Sequence, residues 1–155
     1  MHRMVRVASR RLSVAKQRYL RSVLRVLMTS THPFVEPKGL RVTVDRVSHQ
    51  PDADTPSSRP YCFVYYISIW NDTSETVTIR GRKWVVTNAK GEVTAVEGEG
   101  VVGVTPEIQP GEKFSYNSYH LLDTPTGKAE GSYIGVDASG RKVLTRIPLF
   151  LMSAG

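Results

Sequence analysis

The sequence predicts an all-β fold, an antiparallel β-sandwich of about seven or eight short strands in residues 38–153. Apolar and polar residues alternate in this region, which is the two-residue period of a half-buried strand. Turn signals rich in Gly, Pro, Asn and Asp separate the alternating segments. No long helical period appears after residue 38. This pattern excludes a doubly wound nucleotide-binding fold, which needs helices between its strands.

The first half of the region begins with a half-buried strand and a central strand. Residues 40–47 alternate apolar and polar side chains, whereas residues 61–70 are β-branched and aromatic, which is typical of a long central strand. The intervening residues 50–60 are rich in Pro, Ser, Asp and Thr and predict a loop. Further strands are predicted at residues 76–79, 83–87 and 93–96, the last two joined as a hairpin by the turn of residues 88–91.

The second half repeats this arrangement of strands and turns. Pro110-Gly111 predicts one turn, and residues 137–140 predict another that resembles residues 88–91. Asp123 opens the segment Asp-Thr-Pro-Thr-Gly, which we interpret as a turn rather than as the setting of a catalytic acid. Strands are predicted at residues 113–116, 129–136 and 142–149.

The positive charge of the chain is concentrated before the predicted sandwich. The 155 residues include 21 Lys and Arg against 14 Asp and Glu, a net charge of +7. Residues 1–35 hold eight of the basic residues and no acidic one, which leaves 13 basic against 14 acidic residues in the rest. A general nucleic-acid-binding surface on the sandwich is therefore disfavoured, because phosphate binding needs clustered positive charge.

Residues 1–30 predict a basic amphipathic arm, helical or disordered. A helix here would end near His32-Pro33, since proline disfavours helix in the residue before it. Three interpretations stay open: an organelle-targeting segment, a helix that contacts an anionic membrane or a partner, or a native start at Met28. We expect little packing of the arm on the sandwich. Its apolar face holds Met4, Ala8, Leu12, Ala15, Tyr19, Val23 and Val26.

The single cysteine, Cys62, favours a reducing compartment because it has no partner for a disulfide within the chain. Its apolar neighbours indicate a buried, unreactive thiol. The sequence has no apolar run of the roughly 18 residues that a membrane span needs, and basic residues interrupt any secretory signal. We therefore expect a cytoplasmic protein, or an organelle-targeted one if residues 1–30 act as a targeting segment.

The stretch EGEGVVGV contains Gly98-x-Gly100-x-x-Gly103, the spacing of a dinucleotide-binding loop. Such a loop binds pyrophosphate because a helix begins inside it, and the valines that run up to Thr105-Pro106 do not start a helix. The lysine of a P-loop is absent, and the adjacent glutamates would repel phosphate. We expect a backbone role, with at least one glycine at positive φ or in a bulge. The alternative is a nest of backbone amides for an anion.

Arg82 and Lys83 form a basic group next to Trp84 and are candidate anion ligands beside the glycine motif. Strand alternation places Arg82 and Trp84 on one face, where they could stack. A solvated strand edge protected by charge is the other interpretation. The sequence predicts no cofactor, no catalytic group and no metal site, since the histidines lie too far apart for a zinc motif: His2, His32, His49 and His120.

The predicted sandwich resembles the ApaG domain family over about residues 38–151, in one order and without large gaps. The arm before Met28 lies outside the usual bacterial domain. The resemblance rests on Val64–Ile69, Arg82–Asn88, Gly98–Gly103, Pro106, Ile108, Pro110–Glu112, Tyr116, Leu122–Pro125, Gly127, Glu130–Tyr133, Asp137, Gly140 and Ile147–Phe150.

The resemblance implies an immunoglobulin/fibronectin-III-like sandwich without established catalytic activity. Related domains in F-box and polymerase-interacting proteins imply a module that binds a protein partner. Bacterial members have been linked with cobalt resistance and magnesium transport, and the family's glycine motif has invited a pyrophosphate- or nucleotide-binding proposal. Two hypotheses follow: a non-enzymatic protein-binding module, or a binder of small anions, phosphate esters or nucleotides that uses Gly98, Gly100 and Gly103 with Arg82 or Lys83.

Overall fold

The computed structural model describes residues 34–155, and these residues form an all-β fold, as predicted. The predicted arm of residues 1–30 and the alternative start at Met28 lie outside the described residues. The strands are β1 (Leu40–His49), β2 (Tyr61–Asn71), β3 (Val77–Asn88), β4 (Val93–Glu99), β5 (Glu107–Ile108), β6 (Lys113–Leu122), β7 (Thr126–Asp137) and β8 (Lys142–Ser153).

The eight strands form two antiparallel sheets that pack face to face as a sandwich. The smaller sheet has the order β1-β2-β6, and the larger one has the order β4-β3-β7-β8, with β5 paired to the beginning of β3. Each pair of neighbouring strands is antiparallel. The hairpin predicted between residues 83–87 and 93–96 is confirmed as the β3–β4 pair.

The core lies between the two sheets and is formed by alternate residues of each strand. The smaller sheet contributes the fully buried Ile67 and Ile69 of β2. The larger sheet contributes the fully buried Ile79 of β3 and Tyr133 of β7. Cys62 is also buried, as predicted, and burial raises the pKa of its thiol. Burial of such apolar side chains contributes about 1.5–3 kcal/mol each to folding.

The two strands predicted at residues 76–79 and 83–87 are a single strand, β3, so this prediction was wrong. The ladder between β3 and β7 continues across a register shift between Ile79 and Gly81, which is a β-bulge. One extra residue reverses the alternation of the side chains that follow it. Ile79 and Trp84 therefore both face the core although they are an odd number of residues apart.

Each of the other predicted strands is longer than predicted, and one strand was missed. β6 extends to Leu122 because it pairs with β2 along its whole length, including polar residues with weak strand propensity. β7 begins earlier and ends one residue later than predicted, so the predicted turn of residues 123–127 shrinks, and β8 begins at Lys142 as predicted but continues to Ser153. The two-residue β5 gives no detectable period in the sequence.

In residues 34–155 no helix is long and apolar enough to cross a membrane.

Candidate functional site

The glycine motif ends β4 and forms a tight hairpin turn. Val101 N–H donates to the Val104 carbonyl at 2.7 Å, and Val104 N–H donates to the Val101 carbonyl at 3.0 Å. The two residues between them have positive φ, 45° at Val102 and 81° at Gly103. Positive φ at both central positions is the geometry of a type I′ hairpin turn. The predicted positive φ within the motif is confirmed.

Gly100 is required for two separate reasons. Its φ is 59°, in the region that side chains disfavour, and a Cβ atom at this position would lie 2.3 Å from the Val104 carbonyl oxygen. Gly98 instead leaves room for a neighbouring side chain, since its Cβ would lie 2.7 Å from the guanidinium carbon of Arg82. Two glycines of the motif thus permit close approach of other atoms of the same chain.

The polar groups of the motif are engaged within the protein. The Gly100 amide donates to the Arg80 carbonyl at 2.7 Å, and the Val101 and Val104 amides donate within the turn. Arg82 Nη1 donates to the carbonyls of Glu99 at 2.8 Å and of Gly100 at 3.1 Å. The loop therefore presents carbonyl oxygens to a cation, which is opposite in polarity to an amide nest for an anion.

Arg82 and Trp84 lie on the inner face of β3, as predicted from alternation. Arg82 pairs with Tyr133 of β7 on one side and with Gly98 of β4 on the other. The predicted stacking of Arg82 on Trp84 is wrong, because the cation–π contacts of the described residues involve other cations. Arg82 is instead half-buried, and its guanidinium packs against the glycine turn.

Lys83 projects from the opposite face of β3. Its Nζ lies 3.3 Å from a carboxylate oxygen of Glu97, the residue paired with it on β4. Successive side chains of a strand point to opposite faces, so Arg82 and Lys83 cannot approach one ligand together here. Of the candidate anion ligands, only Arg82, Gly98 and Gly100 come together.

A cluster of aromatic side chains fills the sandwich beside Arg82. The ring centroids of Trp84 lie 4.9 Å from Tyr65 and 4.7 Å from His120. The hydroxyls of Tyr116 and Tyr133 share a hydrogen bond. Desolvation raises the pKa of Tyr65 to about 12, although the positive charge of Arg82 acts in the opposite direction. These phenols are therefore neutral hydrogen-bonding groups at physiological pH.

Two ring nitrogens in this cluster are buried without a hydrogen-bond partner in residues 34–155. They are Nε1 of Trp84 and Nε2 of His120. Burial lowers the pKa of His120 to about 3, so its imidazole is neutral at pH 7. From the sequence, His120 was considered only as a zinc ligand, and its distance from the other histidines excluded that role. Its position two residues before Leu122, on the apolar face of a strand, was the signal for a core side chain.

The other predicted polar residues have structural contacts. His49 packs against Phe63, with ring centroids 5.3 Å apart. Asp123 accepts a hydrogen bond from Asn88 at 2.9 Å and lies 3.4 Å from Lys90, and the Asn88 hydrogen bond is the chief cause of its lowered pKa. Within the described residues no cluster of His, Cys, Asp and Glu could hold a metal ion. His2 and His32 lie outside this part of the chain.

The outer face of the smaller sheet combines basic and aromatic side chains. Arg41 and Lys113 pair with Trp70 from either side, and their charged groups lie 4.6 Å from its ring centroid. The guanidinium of Arg46 lies 5.6 Å from the ring centroid of Tyr66. We call this surface the cationic–aromatic face; it comprises Arg41, Arg46, Tyr66, Trp70 and Lys113.

The larger sheet exposes two leucines on its edge strand β8. Leu149 is 53% exposed and Leu151 is 73% exposed, the highest values among the large apolar side chains of residues 34–155. β8 pairs with β7 on one side; on the other side Val35 bridges to Val143, and Thr145 donates a hydrogen bond to the Leu40 carbonyl of β1 at 2.9 Å, both before the segment that carries the two leucines. We call Leu149 and Leu151 the β8 leucine patch.

Comparison with known proteins settles the family. A family model for the ApaG domain matches residues 51–137, more than half of the chain. The chain belongs to the ApaG domain family. A protein named ApaG from Rhodospirillum centenum is 42% identical over 117 residues, which cover 76% of this chain and 89% of that protein. An ApaG protein from Acidithiobacillus ferrooxidans is 33% identical over 118 residues, which cover 76% and 92%.

Solved structures agree with the ApaG assignment at the level of the fold. The putative ApaA protein from Bordetella pertussis is 35% identical and superposes with a TM-score of 0.69, covering 77% of this chain and 96% of that one. A structural-genomics target named SoR45 is 34% identical with the same TM-score, covering 74% and 86%. The ApaG sandwich of this chain is therefore shared with experimentally determined structures.

Proposed function

We propose that this ApaG domain is a non-enzymatic protein-binding module whose partner contacts the β8 leucine patch. The observation that carries the proposal is the exposure of Leu149 and Leu151 on one edge strand. Large apolar side chains on an exposed strand edge favour association with another protein. The proposal includes a reducing, cytoplasmic setting, supported by the single cysteine of the sequence.

The contact is made by side chains rather than by addition of a strand. Pro148 has no amide hydrogen, and the register of β8 against β7 shifts between Ala129 and Gly131, opposite this segment. Proline and bulges on an edge strand hinder pairing with an incoming strand. We therefore expect the partner to place an apolar cluster on Leu149 and Leu151, rather than to extend the sheet.

A basic side chain beside the β8 leucine patch indicates the charge expected on the partner. Lys128 lies directly across from Leu151 in the β7–β8 ladder and is exposed. It forms no ion pair within residues 34–155. An apolar surface with a carboxylate at its rim would complement both features, because rim charges favour encounter between oppositely charged surfaces.

The experiment compares capture by matched variants of the full chain. We expect the wild-type protein to retain one protein at fixed stoichiometry, and Leu149→Lys/Leu151→Lys to lose it while its melting temperature stays unchanged. The control, Arg80→Glu, alters an exposed residue of β3 outside the patch and should retain the partner. Equal capture by the wild type and the leucine variant would refute the β8 site. No stoichiometric partner under any condition would refute the proposed function.

A second candidate is binding of a small anion, phosphate ester or nucleotide, in connection with cobalt or magnesium homeostasis. One observation favours it: Arg82 uses Nη1 for the loop carbonyls, whereas its Nε and Nη2 make no hydrogen bond within residues 34–155. Guanidinium N–H groups of this kind bind phosphate well. Titration with pyrophosphate, nucleotides, Co²⁺ and Mg²⁺ tests it, and saturable binding lost in Arg82→Gln would favour this candidate over the first.

A further inference from the structure

The cationic–aromatic face carries two basic side chains whose charge is not balanced by a neighbour. Arg41 Nε lies 3.0 Å from a carboxylate oxygen of Asp72. Arg46 and Lys113 form no ion pair within residues 34–155, and both are exposed. Their recorded interactions are with the rings of Tyr66 and Trp70. Two cations are thus held in place with their charge directed to solvent.

The carboxylate in the middle of this face does not neutralise them. Asp45 accepts hydrogen bonds from the hydroxyls of Thr43 at 2.8 Å and Ser68 at 2.5 Å, one on each of its oxygens. The Ser68 hydroxyl is also hydrogen-bonded to that of Ser115 at 2.8 Å. Asp45 therefore belongs to a polar row that crosses all three strands between the two cation–ring pairs.

Aromatic rings prearrange the two cations for a ligand. A cation over an aromatic ring loses side-chain freedom before it binds, while its outward N–H groups remain available as donors. Tyr66 and Trp70 lie on the same face of β2, four residues apart, which is roughly 13 Å along a strand. An extended peptide places side chains i and i+4 on one side at the same spacing.

We propose that the cationic–aromatic face binds an extended acidic peptide segment of another protein, through carboxylates four residues apart that contact Arg46 and Lys113. This surface belongs to the smaller sheet, whereas the β8 leucine patch belongs to the larger one, so the site is additional to the proposed function.

The same chemistry does not favour a single-stranded nucleic acid. Nucleic-acid platforms need aromatic ring faces that are open for base stacking. Both Arg41 and Lys113 lie 4.6 Å from the ring centroid of Trp70, so cations already occupy this ring. Asp45 and Asp72 would also repel a continuous phosphate backbone. Separated carboxylates match two separated cations better.

The experiment titrates the full chain with short blocked peptides and follows backbone and side-chain NMR signals. The probe is Glu-Thr-Val-Thr-Glu, whose glutamates are four positions apart. One control replaces both glutamates by glutamine, and a second moves one glutamate so that the two are three positions apart and on opposite sides. Octauridylate is titrated in parallel to test binding of a single-stranded nucleic acid. Weak, saturable binding is expected for the probe alone, because exposed ion pairs contribute little individually.

The expected shifts lie at Arg46, Tyr66, Trp70 and Lys113, and they diminish as salt is raised. Arg46→Gln and Lys113→Gln should each weaken binding about threefold, whereas Lys128→Gln on the other sheet should not. Equal binding of the glutamine peptide, shifts confined to other surfaces, or binding of octauridylate instead of the peptide would each overturn the proposal. The Arg46→Gln/Lys113→Gln variant should still capture the protein partner through the β8 leucine patch. This result would separate the present proposal from the proposed function.

Discussion

Arg82 Nη1 donates a hydrogen bond to the carbonyl oxygen of Gly100 at 3.1 Å, which joins the inner face of β3 to the glycine turn. A Cβ on Gly98 would displace the same guanidinium, so one basic side chain and two motif glycines depend on each other. The spacing that resembles a nucleotide loop therefore describes a turn that accommodates an arginine. We expect substitution of these residues to change the stability of the fold before it changes ligand binding.

Gly100→Ala should destabilise the fold by more than about 1 kcal/mol, because positive φ and a clash with the Val104 carbonyl act together. Gly103→Ala is the matched control, since its φ is also positive but a Cβ there meets nothing within 4 Å. Denaturant unfolding measures both. We expect the larger loss for Gly100→Ala; equal losses would mean that the clash is relieved at no cost.

Arg82→Ala should lower the free energy of unfolding by about 1–3 kcal/mol, because the Glu99 and Gly100 carbonyls lose a charged donor. Lys83→Ala is the adjacent control on the opposite face. The Glu97 carboxylate of its ion pair is 55% exposed, so a loss below about 1 kcal/mol is expected. Similar losses in chemical denaturation would contradict the structural role assigned to Arg82.

How far the sequence predicted the fold depends on which contacts set each element. Alternation and turn residues are local, and they predicted the sandwich and the β3–β4 hairpin. The bulge between Ile79 and Gly81 depends on the register with β7, which no local pattern contains. The same bulge turns Trp84 towards the core. An unbroken β3 could therefore be recognised only from its pairing with the neighbouring strands.

The candidate site was predicted less completely than the fold. The glycines at positive φ could be anticipated from the absence of a following helix. The association of Arg82 with loop carbonyls could not, because it depends on which face the strand presents after the bulge. The cationic–aromatic face brings together β1, β2 and β6, whose order in the sheet is a property of the tertiary fold.

His120 should make the fold less stable as the pH falls from about 6.5 towards 3. Its pKa is lowered to about 3 by burial, so below pH 6.5 the unfolded chain binds a proton that the folded chain does not. The upper limit of the loss is about 1.4 kcal/mol per pH unit, and the partial exposure of the residue as a whole reduces it. His120→Phe should flatten the stability profile between pH 6.5 and 4.5; parallel profiles for the two proteins would exclude this assignment.

A chain shortened to begin at Met28 should keep its melting temperature, because the eight strands of the described residues form a complete sandwich within Leu40–Ser153. Calorimetry of the shortened and full chains measures this directly. A decrease of several degrees would show that residues before Met28 contribute to the stability of the sandwich, contrary to the expectation from their sequence.

We infer that Gly98, Gly100 and Gly103 form a turn that accommodates Arg82 rather than a phosphate site. The most direct measurement is a pyrophosphate titration of the full chain, with backbone amide and arginine Nε signals followed by NMR. We predict no saturable shift in residues 98–104 or at Arg82, because three loop amides already donate to backbone carbonyls. Saturable shifts at these signals that disappear in Arg82→Gln would contradict the structural role of the turn and favour the anion-binding candidate.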